Sequence, residues 1–201
     1  MELETALSQI GEIQRQMART RTFRGYRSAT TLLTGFIAIA AAVWQAGSIP
    51  APGQRPVQFV YLWVGVAIAS ISIVAVEIAL RYWRSSLERE LTVLAVEQFL
   101  PCIVTGGLLT LVLCEFAYST IWMLPGLWAI FLGLGLFASR QLLPRPIALV
   151  AAFYVVMGLC CVALGHEGMR YSAWTMGATF GIGQTAAAGV LHWSLEQNHE
   201  S

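Results

Sequence analysis

The chain reads as an all-α integral membrane protein, a bundle of six transmembrane helices preceded by an amphipathic helix on the cytoplasmic side. Three observations predict this. Hydrophobic residues make up 57% of the 201 residues and the mean hydropathy is +0.65, beyond the roughly 45–50% apolar content of soluble domains. Six apolar runs recur, each close to the about 20 residues that a helix needs to cross the hydrocarbon core. The twelve strong bases are all Arg, and ten of them fall on one side of the six-run pattern. Arg15, Arg19, Arg21, Arg24 and Arg27 precede the first run; Arg81, Arg84 and Arg89 follow the second; Arg140 and Arg145 follow the fourth. Only Arg55 and Arg170 lie in the alternate loops. Basic loops are retained in the cytoplasm, so both termini are expected inside, in a bacterial inner membrane.

The expected spans are 29–47, 57–80, 99–117, 121–139, 147–165 and 172–195. They are helices because an open sheet leaves backbone groups unpaired in lipid. The turns Ile49-Pro50-Ala51-Pro52-Gly53 and Leu143-Pro144-Arg145-Pro146 separate neighbours, and short connections make sequential spans antiparallel. The organisation is a cytoplasmic segment 1–27, a transmembrane domain 28–195 and a tail 196–201. Acidic residues within the first 27 argue against a cleavable signal peptide.

Trp63, Trp128 and Trp174 stand near the outer starts of spans two, four and six. They read as an interfacial aromatic belt, with a threefold hairpin repeat as the alternative. Two cytoplasmic segments carry apolar faces. In residues 2–18, Leu3, Leu7, Ile10, Ile13 and Met17 recur at helical spacing; in residues 82–96, Leu87, Leu91 and Leu94 do the same. Leu7, Ile10, Leu87 and Leu91, with Arg19 and Arg24, are the expected contacts with the inner leaflet or with a partner protein.

Ionisable residues in lipid usually mark function, and none falls at the midpoint of a span. Glu77, Glu97 and Glu115 lie near span ends and read as interfacial anchors rather than proton carriers. Gln184 is the most polar residue near a midplane, and Thr105 and Ser70, with Ser72, Thr110 and Thr34, have depths that suit it. Helix glue, at about 0.6 kcal/mol on average for an interhelical hydrogen bond, is one reading of this centre; a polar ligand pocket is the other. Gly177 and Gly181 form a G-x-x-x-G that favours close helix packing or homodimerisation. The four cysteines form no C-x-x-C. His192, Glu196 and His199 share one helix face but fall short of the four ligands of a structural zinc site. No hydrolase motif is present. Neither metal nor cofactor is expected, nor direct nucleic-acid binding.

Leu124-Pro125-Gly126-Leu127-Trp128, Phe131-Leu132-Gly133, Val156-Met157-Gly158 and Phe180-Gly181, with Met17, Arg19 and Phe23 ahead of the first span, resemble a family of small bacterial six-span membrane proteins. That family carries F-G-x-x-H in its last span and a basic R-R-H-G-G tail. Here Gln184 stands at the histidine position, and the tail Glu196–Glu200 lacks the basic pair. The resemblance implies no activity. It implies a frequent genomic neighbour, a small winged-helix regulator, and hence a membrane component of a regulatory pair. The expected function is a non-enzymatic sensor or partner-binding module, its partners being the lipid bilayer, a cytoplasmic regulatory protein, or a second copy. A small transporter or channel built around Gln184 is the alternative, and an accessory subunit of a larger membrane complex is another.

Overall fold

The computed structural model describes residues 28–48, 56–82, 86–165 and 171–196, with side chains other than those of 81–92, 95, 195 and 196. Six α-helices account for nearly all of these: α1 Ser28–Ser48, α2 Pro56–Tyr82, α3 Ser86–Phe116, α4 Leu124–Ala138, α5 Ile147–Gly165 and α6 Ala173–Glu196. Short 3-10 turns, Tyr118–Met123 and Ser139–Gln141, flank α4. Five helical stretches are long and apolar enough to cross a membrane: α1, most of α2, Val96–Phe116 of α3, α4 with its flanking turns, and α5. The chain is therefore a multi-pass helical membrane protein. α6 is not among the five, because glycines, threonines and Gln184 dilute its apolar content. The amphipathic segment expected at 2–18, with Leu7, Ile10, Arg19 and Arg24, lies outside the described residues.

Each helix packs on its neighbour in sequence, and α6 returns to α1, so the six close into a ring of antiparallel pairs. Two pairs are packed most extensively, α1 with α6 and α4 with α5. Small residues decide both. A Cβ on Gly177 would collide with the Cβ of Ala42, and one on Gly181 would stand 2.5 Å from Ile39 Cγ1. On the other pair, a Cβ on Gly126 would come 2.5 Å from the Gly158 carbonyl oxygen, and one on Gly158 would come 2.6 Å from that of Gly126. Lipid supplies no hydrophobic drive between helices, so this backbone approach, with its dispersion contacts, holds them together. The G-x-x-x-G of α6 is thus occupied by α1 of the same chain, which leaves that face closed to a second copy.

α3 differs from the sequence expectation. Residues 82–96 were expected as a separate surface helix, but Ser86–Phe116 is one continuous helix of 31 residues with Pro101 inside it. At 1.5 Å per residue it is about 46 Å long, against about 30 Å of hydrocarbon. α3 is also the least buried of the membrane-crossing stretches.

Candidate functional site

A polar cluster of Gln45, Trp63 and Tyr171 lies at the end away from the arginine-rich loops. Gln45, in the last turn of α1, is buried at 1% exposure. Its Oε1 accepts a 2.7 Å hydrogen bond from Trp63 Nε1 on α2, and its Nε2 donates at 3.2 Å to the carbonyl of Tyr171, just before α6. Phe59 packs edge-on against the Tyr171 ring, with centroids 5.4 Å apart, and stands 6.3 Å from Trp63. Tyr171 holds φ at 61°, a left-handed conformation unfavourable for a residue with a side chain. The Gln45 bond and the Phe59 ring hold it there. Ile121, Leu124 and Met176 complete the surrounding core.

A second contact of the same kind joins α3 to α4. Trp128 Nε1 donates to Thr110 Oγ1 at 2.9 Å, while Thr110 donates at 2.8 Å to the Gly106 carbonyl. A third pair, Cys161 Sγ and Thr179 Oγ1, meets at 3.9 Å between α5 and α6. Each of the three hairpins closes on a polar pair separated by eighteen residues. The expected tryptophan belt divides accordingly. Trp63 is buried and Trp128 half-buried, both pointing into the bundle, whereas Trp174 is exposed as an interfacial residue should be.

Gln184 is half-buried on α6, where a Cβ on Gly35 of α1 would stand 3.0 Å from its own Cβ. Thr105 is exposed on α3 and Ser70 half-buried on α2. Among the described residues no hydrogen bond joins these three, and Gln184 itself makes none. Leu87 and Leu91 lie in the first turns of α3, their side chains outside the described set. Glu115 is exposed at the end of α3, Glu77 is half-buried in the last two turns of α2, and Glu97 is exposed inside α3, where its apolar stretch begins. Among the described residues no group of His, Cys or Glu is gathered as a metal site.

Sequence reasoning missed Gln45, and it placed Thr110 at a depth to meet Gln184, whereas the structure gives it Trp128. A signal for Gln45 was present: an amide facing the helical hairpin partner that carries Trp63, an indole in need of an acceptor. An amide at that depth, near a span end, suits water equally well.

The fold and these contacts define a packed, multi-pass helical membrane bundle whose polar groups bond between helices. No family model, no curated protein and no solved structure matches the chain.

Proposed function

We propose that this is a non-enzymatic membrane module that senses or transmits through a protein contact on its arginine-rich, cytoplasmic side. The observation that carries the reading is α3. Its helix runs on beyond the apolar stretch Val96–Phe116 toward the arginine-rich end, and Val93 and Leu94 there are 41% and 43% exposed. Apolar side chains outside the hydrocarbon core want a cover, and a soluble regulator or accessory protein supplies one. The positions of Leu87 and Leu91 continue the same helix.

Six crossings with both termini in the cytoplasm of a bacterial inner membrane belong to this proposal. α6 supports it despite its modest hydropathy. Trp174 and Trp193, both exposed, stand nineteen residues apart on that helix, about 28 Å along its axis, one hydrocarbon thickness between two aromatic anchors. Contacts with α1 and α5 shelter its Gly177, Gly181 and Gly183.

The test is affinity purification of the full chain from native membranes, with proteins and lipids identified by mass spectrometry. A protein recovered with the wild type and lost from the Leu87→Glu/Leu91→Glu variant supports the module. Recovery of the same companions by both, with solute uptake by proteoliposomes of the pure chain, would replace it by a transporter.

A further inference from the structure

We infer that the arginine-rich end of α3 is a lever hinged at Pro101 and latched weakly onto the end of α4. The inference rests on the role proposed for this end of α3 and names its regulation.

Three features meet within one helical turn. Pro101 lies inside α3; it has no N–H to give the carbonyl of Glu97, and its ring crowds that carbonyl. The helix is thus weakened between Glu97 and Pro101, where kinks arise in long helices. Next to this gap, Phe99 forms the latch. Its ring fills the place a side chain would take at Gly135 of α4, with Cε2 2.7 Å from a Cβ built there. Beside the latch, two polar atoms are buried without a hydrogen-bond partner among the described residues: Gln98 Oε1 and, one turn beyond Gly135, Ser139 Oγ. Ser139 is only 4% exposed, and its turn packs against α3.

The combination has a direction. Closure seats Phe99 but strips water from Gln98 and Ser139 without replacing it, which costs free energy. Opening relieves that burial, at Ser139 on the end of α4 most directly, and unseats one ring. The two contributions oppose each other, and a partner that binds one arrangement better shifts the population. The stretch Val96–Phe116 of α3 is the least buried of the crossing segments. Its exposed Val93 and Leu94 ride on the moving side of the hinge.

The experiment uses the full chain in phospholipid nanodiscs, with native cysteines replaced and nitroxides at Val93→Cys and Gln141→Cys. Pulsed electron–electron distance measurement is expected to give two populations. Gln98→Leu combined with Ser139→Ala removes the orphaned polar atoms and should favour the shorter distance by about tenfold. Gly135→Leu denies Phe99 its seat and should favour the longer one. Pro101→Ala should narrow the distribution to one component. Circular dichroism and thermal unfolding of each variant identify any that has simply misfolded, and the Gln98→Leu single variant then stands in. One narrow distance, unmoved by variants that remain folded, overturns the hinge. That result leaves the partner-purification test of the proposed function untouched, so the two fail separately.

Discussion

Gln45 accepts a bond from Trp63 and gives one to the Tyr171 carbonyl, so Gln45→Leu orphans a buried indole N–H and removes one bond from that carbonyl. The expected loss is about 1–3 kcal/mol, the cost of stranding a buried polar group, read as a lower midpoint in reversible SDS unfolding. Adding Trp63→Phe removes the stranded donor, and the double variant should lose less than the sum of the two single variants. Strict additivity would mean that the contact has no energetic weight. Gln184→Leu is the comparison in the same assay. Its amide has no hydrogen bond among the described residues, so the change should stay within about 0.5 kcal/mol. A larger loss would restore the glue reading of Gln184.

Between elements, close backbone approach does what apolar burial does in a soluble core. The pairing of α1 and α6 gives a sharp case. Gly177→Val drives a branched side chain into Ala42, and overpacking of this kind costs about 1–3 kcal/mol. Gly189→Val, on the same helix with nothing within 4 Å of the new Cβ, should be neutral. Equal effects at the two positions would show that helix propensity, not the contact with α1, governs them. The same logic explains why α6 resists recognition by hydropathy. Gly177 and Gly181, two of the four glycines that lower its hydropathy, are those that let α1 approach.

For the whole molecule, the proposed topology makes a direct prediction. With native cysteines replaced, single cysteines at Ser8 and Ser201 should be protected from a membrane-impermeant thiol reagent in intact cells and should react once the membrane is opened. A cysteine at Ser48, exposed at the far end of α1, should react from outside. Reaction of Ser8→Cys or Ser201→Cys in intact cells would reverse the orientation drawn from the arginine bias. The purification and distance measurements described above apply at this scale too, because both depend on the bundle standing in a bilayer.

Helical class and nearly all boundaries were legible in the residues alone. Span five was read as 147–165 and the helix is Ile147–Gly165; spans one, two and six ended within a residue or two of α1, α2 and α6. Apolar runs and breaking turns are local properties, and in lipid a long apolar run has little choice but helix. The merging of residues 86–96 into α3 was not legible, since a surface helix and the extension of a span share the same apolar periodicity. Nor was the direction in which each tryptophan points. A belt indole and a buried one look alike until the partner helix, Gln45 for Trp63 and Thr110 for Trp128, supplies the acceptor. The sequence by itself determined the helical, multi-pass class and which loops carry the charge. Only the tertiary structure decided which polar groups meet, because a hydrogen bond between helices depends on their rotation and depth, and those are set by where glycine lets two backbones touch.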